Sequence, residues 1–289
     1  MYSREEAKEE CLRYFNGDEL AANVFVDKYA LKDKQGNILE IPPHMHQRIA
    51  NEFKRIEDKY PNPMSYSEIF ELFNKFKYII AGGSEMAGVG NNTAITSLSN
   101  CFVIDSTIDS YGGIMRADEE QIQIMKRRGG VGHDLSNLSP TGVSANNSIL
   151  GQMAGTTLYM DRFSNSTREV AQDGRRGALM LSIDVRHPDC DKFIDAKLKE
   201  GKVIGANISV RISDEFMKAV ENDEDFIQKF PIHQEGRKFS DNLFSDQPYN
   251  EMIKVTDNYG DFYIKRIKAK ELWNKIIKNA HQSAEPGVL

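Results

Sequence analysis

The chain has 289 residues, of which 40% are hydrophobic, 28% charged and 9% aromatic, a composition typical of a globular protein with a sizeable core. Its formal net charge of −6 argues against a broad nucleic-acid or membrane-binding surface, and no stretch reaches the roughly 18 to 20 apolar residues that span a bilayer. Its three cysteines, Cys11, Cys101 and Cys190, are far apart and form no CxxC pair, so neither a disulfide framework nor a zinc site is indicated. The charged N-terminus lacks the apolar core of a signal peptide, and we expect a cytoplasmic protein.

The first hundred residues predict mostly helices. The predicted helices cover residues 4–16, 44–60 and 65–80. The second follows the helix-breaking pair Pro42-Pro43, and Ser65 is placed to cap the third. A glycine-rich loop follows at 81–92, and the run CFVID predicts a strand that begins at Cys101.

After residue 116, helix and strand patterns alternate. The predicted helices cover residues 116–128, 152–170, 188–200, 213–223 and 268–283, and the predicted strands cover 129–135, 176–185 and 205–212. Such alternation is typical of crossover units and a largely parallel sheet. We interpret the polar stretch 225–262 as a surface excursion, and the apolar pair Val288-Leu289 as the beginning of another strand, so that the fold is expected to continue elsewhere. The predicted domains are a helical region over 1–80 and an α/β domain over 81–289.

Cys101 stands where a polar loop turns into an apolar strand, in the segment TSLSNCFVIDST. A free cysteine is often a buried core residue, but the neighbours Ser97, Ser99 and Asn100 suit the wall of a pocket better than a core. A thiol there is able to act as a nucleophile or as a reductant. No Cys-His arrangement is readable, so nucleophilic catalysis has no visible base.

Three glycine-rich segments place backbone N–H groups where they could converge on an oxygen anion. They are GGSEMAGVG (82–90), RRGGVG (127–132) and QDGRRGA (172–178). None matches the phosphate loop or the dinucleotide fingerprint, and each alone is more typical of an ordinary turn. Their recurrence favours phosphorylated small molecules, and Arg175 and Arg176 are suited to phosphate contacts or to stacking on a base.

Asp109 follows Cys101 by eight residues and precedes two glycines, in TIDSYGGI. By itself it is typical of a turn or a helix cap, and the functional alternative is an acceptor for a sugar hydroxyl. The six histidines show no ligand spacing beyond His44 and His46, whose side chains diverge on a helix, so we predict no metal in this chain.

Five segments together resemble the catalytic subunit of ribonucleotide reductases. They are SLSNCFVI, DSYGGI, KRRGGVGHDLSNLSPTG, SNSTREVAQDGRRGALMLSIDVRHPD and ANISVRISDEFMKAV, and they stand in the order and approximate spacing of that family. The resemblance runs from about residue 18 to the end. It implies a helical region followed by the first part of a ten-stranded α/β barrel made of two parallel half-barrels. It also implies the reaction of a ribonucleoside-diphosphate reductase, in which thiol and radical chemistry replaces the ribose 2′-hydroxyl with hydrogen. The sequence leaves open whether the substrate is a diphosphate or a triphosphate.

The resemblance assigns Cys101 as the catalytic redox cysteine that delivers reducing equivalents to the 2′ position and ends in a disulfide. The substrate-binding residues that it implies are Ser84, Asn100, Gly130 and Arg175. Asn100 and Gly130 match positions whose backbone lines the substrate site, and Ser84 is similar to a residue that binds the substrate phosphate. Glu85 stands where the family usually has proline.

The resemblance also implies an allosteric specificity effector, a deoxynucleoside triphosphate or ATP. The effector-binding residues that it implies are Asp109, Ser139, Gln172 and Asp173. Asp109 corresponds to an aspartate that holds the effector sugar. The first specificity loop matches 132–142, with Ser139 where many members have an arginine, and the second matches 172–178.

Other parts of the family's machinery match nothing in this chain. By the resemblance, we expect the radical cysteine and the second redox cysteine to lie beyond the point that matches Leu289, and we find no segment here that resembles the N-terminal ATP-cone. The implied partners are the C-terminal half of the large subunit, a radical-generating small subunit, thioredoxin or glutaredoxin as reductant, and a second copy in a homodimer. The implied radical source is either a metal-containing small subunit or adenosylcobalamin. The alternative hypothesis is a non-enzymatic module that senses deoxynucleotides, and the intact surroundings of Cys101 favour the reductase.

Overall fold

The computed structural model describes residues 1–143, 155–172, 175–198, 202–231, 249–257 and 260–289. Its α-helices are α1 (Arg4–Tyr14), α2 (Glu19–Val24), α3 (Pro42–Glu57), α4 (Tyr66–Phe73), α5 (Gly83–Gly88), α6 (Tyr111–Met125), α7 (Thr156–Glu169), α8 (Cys190–Asp195), α9 (Asp214–Glu221) and α10 (Ala269–Ser283). Its strands are β1 (Cys101–Val103), β2 (Gly130–Asp134), β3 (Ala171–Gln172), β4 (Arg175–Arg176), β5 (Leu179–Asp184), β6 (Asn207–Arg211), β7 (Asp225–Pro231), β8 (Met252–Asp257), β9 (Gly260–Lys268) and β10 (Gly287–Val288).

The chain divides into two units. The helical unit comprises Met1–Phe102, Gln123–Gly130 and Val170–Gly177. The sheet unit comprises Val103–Ile122, Val131–Glu169 and Ala178–Leu289. β1 and β2 each begin with residues of the helical unit.

Two helices of the helical unit, α1 and α4, begin directly after a serine cap. α1 and α4 each start with a capping box, formed by Ser3 with Glu6 and by Ser65 with Glu68. In both, the serine hydroxyl accepts a hydrogen bond from the glutamate N–H and the glutamate carboxylate accepts one from the serine N–H. The predicted helix over 4–16 is thus confirmed. The one predicted over 65–80 is confirmed only as far as Phe73, because Lys75 adopts a left-handed φ of 56° that ends the helix. The core of the unit is formed by buried apolar residues, among them Cys11, Phe25, Met45, Ile49 and Phe73.

The prediction of an uninterrupted loop over residues 81–92 is wrong, because α5 forms within it. Glycine disfavours helix, and the sequence from Gly82 to Gly90 therefore resembles a loop. The small side chains of Ser84 and Ala87 are buried, so tertiary packing outweighs the poor local propensity.

The sheet unit is built around parallel strands in the order β1-β2-β5-β6-β10. Val131 lies opposite Leu179, Ile208 opposite Leu181, and Gly287 opposite Ser209, and the β2–β5, β5–β6 and β6–β10 pairs are all parallel. β5 is largely buried, as expected for a strand covered on both faces. The predicted fold class, a helical N-terminal region followed by an α/β sheet, is confirmed, and so is the last strand.

Part of the predicted surface excursion over 225–262, residues 232–248 and 258–259, lies outside the described residues, and for the rest the interpretation is wrong. β7, β9 and β8 form a three-stranded antiparallel sheet in that order. Phe226, Gln228 and Phe230 alternate inward along β7, and Gln228 Nε2 donates a hydrogen bond to the carbonyl oxygen of Val185 at 2.9 Å. Because Gln228 is polar, the apolar residues of β7 do not alternate at every second position, and the sequence pattern does not indicate a strand.

His133, on β2, is expected to make the stability of the sheet unit depend on pH. Its side chain is buried, with Nε2 3.2 Å from Gln121 Oε1 and Nδ1 3.2 Å from Thr107 Oγ1, and burial lowers its pKa from 6.5 to about 4. The unfolded chain therefore takes up the proton first as the pH falls. We expect the free energy of unfolding to be constant above about pH 6.5 and to fall by about 1.4 kcal/mol per pH unit between pH 6.5 and pH 4 through this group.

Urea unfolding at several pH values checks this expectation. The side chain of a His133→Gln variant does not titrate. Below pH 6.5, the slope of its free energy of unfolding against pH should therefore be smaller by about 1.4 kcal/mol per pH unit. An identical slope in both proteins would show that His133 does not carry the effect.

Candidate functional site

Cys101 opens β1, and its side chain is exposed. Cys11 and Cys190 are fully buried. Burial raises the pKa of the Cys11 thiol to about 11 and that of the Cys190 thiol well above its usual range. Among the three cysteines, Cys101 alone offers its thiol to a reactant in solution.

Three of the predicted substrate residues lie around Cys101 in one hydrogen-bonded group, the Cys101 cluster, formed by Ser84, Asn100, Cys101 and Gly130. The N–H of Ser84 donates to Asn100 Oδ1 at 2.9 Å, and the N–H of Gly130 donates to the carbonyl oxygen of Asn100 at 2.7 Å. Ser84 is fully buried, and its hydroxyl donates to the carbonyl oxygen of Arg128 at 3.4 Å. The residue that precedes the thiol is therefore fixed through both its backbone and its side chain.

Glu85 adds a carboxylate to the edge of the Cys101 cluster. Its Oε2 accepts a hydrogen bond from Asn100 Nδ2 at 2.9 Å. A Cβ atom at Gly82 would lie 2.4 Å from both of these atoms, so the close approach requires a glycine there. The negative charge thus lies next in sequence to Ser84, the residue for which the family resemblance implies contact with the substrate phosphate.

The paired arginines of the third glycine-rich segment form β4, which pairs with β3 in the helical unit. β3 and β4 are antiparallel, with Gln172 opposite Arg175 and Ala171 opposite Arg176. Asp173, a predicted effector residue, lies outside the described residues. The assignments of Gln172, Asp173 and Arg175 stay predictions.

The sheet unit brings Asp109 and Ser139 together. The Ser139 hydroxyl donates to Asp109 Oδ2 at 2.5 Å, across thirty residues of sequence. The other oxygen, Asp109 Oδ1, is buried and has no hydrogen-bond partner among the described residues. A buried carboxylate oxygen without a donor is rare, and a sugar hydroxyl is a donor of the kind that it lacks.

Asp189 is a further anchor of the sheet unit that sequence reasoning missed. Its Oδ2 accepts hydrogen bonds from the Thr141 N–H at 2.9 Å, from Thr141 Oγ1 at 3.0 Å and from the Thr156 N–H at 3.3 Å. Thr141 belongs to the segment that resembles the first specificity loop, and Thr156 is the first residue of α7. No local pattern relates Asp189 to residues 33 and 48 positions away, so its role was not readable from the sequence.

We expect Cys101 to react selectively with iodoacetamide in the folded chain, because the other two thiols are buried and their pKa values are raised. Intact-mass spectrometry should detect one adduct, and peptide mapping should place it on Cys101. The Cys101→Ser variant serves as the control and should gain none. Alkylation of Cys11 or Cys190 in the native protein would contradict this arrangement.

Within the described ranges, no helix is long and apolar enough to cross a membrane. Nor do three or more histidine, cysteine, aspartate or glutamate side chains in that part of the chain lie together as ligands for a metal ion.

Comparison with known proteins agrees with the resemblance. The family model for the barrel domain of ribonucleotide reductase matches residues 99–289, and that for its all-alpha domain matches residues 15–89. The chain is 27% identical over 326 aligned positions to a vitamin B12-dependent ribonucleoside-diphosphate reductase of Thermoplasma acidophilum. This alignment covers 93% of the present chain and 39% of the Thermoplasma protein. It is 28% identical over 293 residues to the ribonucleoside-diphosphate reductase subunit alpha of Helicobacter pylori, covering 95% of this chain and 34% of that protein. A large subunit from variola virus is 25% identical over 272 residues, covering 91% of this chain and 33% of that protein. The chain thus spans between a third and two fifths of these relatives, and it belongs to the ribonucleotide reductase large-subunit family.

Proposed function

We propose that this chain is the N-terminal part of a ribonucleotide reductase catalytic subunit that reduces ribonucleoside diphosphates together with a C-terminal part of the barrel. The observation that carries the proposal is the Cys101 cluster. It combines an exposed thiol at the start of a barrel strand with a fixed polar wall, formed by residues distant in sequence. The names of the relatives, all ribonucleoside-diphosphate reductases, support diphosphates as substrates.

In this proposal, Cys101 supplies one of two thiols. The two thiols lose two hydrogen atoms in total and become a disulfide. The ribose 2′-hydroxyl leaves as water and a hydrogen takes its place on the carbon, so that the electrons balance. Cys11 and Cys190 are buried, which favours a second thiol from the C-terminal part. Thioredoxin or glutaredoxin then reduces the disulfide.

The radical that starts the reaction comes from outside this chain. The relatives include a vitamin B12-dependent reductase and a subunit named alpha, so the proposal admits either adenosylcobalamin or a metal-containing small subunit as the source. The residues around Cys101 would bind and orient the ribonucleotide, whichever source is used.

Asp109 and Ser139 are proposed as part of the site for the specificity effector, a deoxynucleoside triphosphate. The buried oxygen of Asp109 that lacks a donor supports contact with the effector sugar. The family resemblance supports a dimer of this subunit, since the specificity effectors of the family bind where two large subunits meet.

Protection of Cys101 from alkylation tests whether a ribonucleotide binds beside it. A ribonucleoside diphosphate should slow the reaction of Cys101 with iodoacetamide in a saturable manner. Glu85→Gln keeps an acceptor for Asn100 but removes the negative charge near the proposed phosphate position. The nucleotide concentration that halves the alkylation rate of Cys101 should therefore be about fivefold lower in this variant. The same charge change at the exposed Glu9 of α1 should leave the protection as it is in the original chain. An alkylation rate that no ribonucleoside diphosphate changes would overturn the proposal.

A further inference from the structure

We infer that the helical unit carries an additional binding site for a phosphate-bearing anion, in a polar cleft of about 740 Å³. The cleft is lined by the segment from Asp27 to Gly36, by polar residues between Asn91 and Thr96, and by Arg128. Its volume lies within the range of sites that hold small molecules. This inference does not depend on the proposed function.

The charge of the cleft is positive, in a chain whose net charge is negative. Its lining contains four cationic residues, Lys28, Lys32, Lys34 and Arg128, and two acidic ones, Asp27 and Asp33. The two acidic side chains are engaged elsewhere. Arg4 Nη2 lies 2.9 Å from Asp27 Oδ1, and the Asp33 carboxylate accepts hydrogen bonds from the N–H groups of residues 35 and 37. An anion in the cleft therefore meets an excess of positive charge.

Two of the cations hold the wall of the cleft in place. Arg128 is buried, and its Nη2 donates to the carbonyl oxygen of Lys28 at 3.0 Å. Lys32 Nζ donates to the carbonyl oxygen of Asp27 at 3.0 Å. These bonds fix the backbone that carries the other two lysines.

The remaining two cations are available to a ligand. Lys28 and Lys34 are exposed, and their ammonium groups make no hydrogen bond or ion pair within the described parts of the chain. The lining also offers neutral polar groups, since Asn92 and Thr93 are exposed as well. Flexible ammonium groups on a fixed backbone, in one cleft with amides and hydroxyls, match a polyphosphate better than an apolar ligand.

Calorimetric titration of the full chain with inorganic triphosphate tests the inference. We expect saturable binding of one triphosphate that weakens as salt is added. The double variant Lys28→Gln/Lys34→Gln should weaken it by about tenfold or more. A control with the same charge change at exposed lysines outside the cleft, Lys59→Gln/Lys270→Gln, should change it by less than about twofold.

Asp109→Ala separates this site from the proposed effector site. Triphosphate binding to the cleft should be unchanged in that variant, because Asp109 belongs to the sheet unit and does not line the cleft. The inference is overturned if triphosphate does not bind saturably, or if both lysine double variants lose the same amount of triphosphate affinity. It is also overturned if only Asp109→Ala loses triphosphate affinity. Circular dichroism of each variant establishes that it is folded. If the double variant is not, Lys34→Gln alone, at an exposed loop position, should still weaken binding by about threefold.

Discussion

Replacing Asp109 with alanine is expected to weaken the binding of dTTP to this chain by between about tenfold and a hundredfold. The reason lies in the two oxygens of the carboxylate. Oδ2 already accepts the Ser139 hydroxyl at 2.5 Å, whereas Oδ1 is buried with no donor among the described residues. A hydrogen bond from the effector sugar to a charged acceptor contributes about 1.5–3 kcal/mol, which corresponds to that loss of affinity.

Isothermal titration calorimetry with dTTP measures this effect, with two control variants. Asp105→Ala removes an exposed carboxylate four residues away and should leave the affinity unchanged. Ser139→Ala keeps the Asp109 carboxylate and should alter the affinity by less than about fivefold. Wild-type affinity in Asp109→Ala would exclude this carboxylate from the effector site. If the unmodified chain also failed to bind dTTP, the proposal for the effector site would be wrong as a whole.

Replacing Asp189 with alanine is expected to lower the free energy of unfolding of the sheet unit by about 3 kcal/mol. Asp189 is buried, and its Oδ2 accepts three hydrogen bonds, two of them from the backbone N–H groups of Thr141 and Thr156. Without the Asp189 carboxylate, the N–H groups of Thr141 and Thr156 have no acceptor. The site is also crowded, since a Cβ atom at Gly155 would lie 2.1 Å from Thr141 Oγ1.

Urea unfolding followed by tryptophan fluorescence suits this prediction, because Trp273, the single tryptophan, lies on α10 of the sheet unit. Asp189→Asn keeps an oxygen acceptor and should cost less, about 1–2 kcal/mol. Asp195→Ala removes a partly exposed carboxylate that pairs with Lys275 and accepts one hydrogen bond from Asn279, and it should cost only about 1 kcal/mol. An Asp189→Ala protein as stable as the Asp195→Ala control would show that the three bonds are not important for stability.

Much of the fold could be predicted because its elements carry local signals. Ser65 and the amphipathic pattern that follows it indicate α4, and the amphipathic pattern of residues 4–16 indicates α1. The apolar run that forms β5 is bounded by polar residues, and it was found within a few residues of its ends. The strand β7 and the helix α5 were missed because an inward glutamine and a glycine-rich composition contradict their simple patterns.

The candidate site was less predictable from residues alone. The exposed thiol of Cys101 agrees with its polar neighbours in sequence. The pairing of Asp109 with Ser139, and of Asn100 with Ser84 and Glu85, depends on tertiary contacts over distances that no periodicity spans. The family resemblance selected most of these residues, but it did not indicate Asp189, which acts through backbone groups, or the cationic cleft.

In the proposed function, this chain supplies one redox thiol of a ribonucleotide reductase through Cys101. The most direct measurement is the formation of a deoxyribonucleotide by this chain mixed with the polypeptide that carries the rest of the barrel from the same source, a radical source and a dithiol reductant. The proposal predicts product from the mixture, none from either part alone, and none when Cys101→Ser replaces the original chain. A mixture that binds dTTP but forms no deoxyribonucleotide, or one that forms it equally well with Cys101→Ser, would contradict the claim.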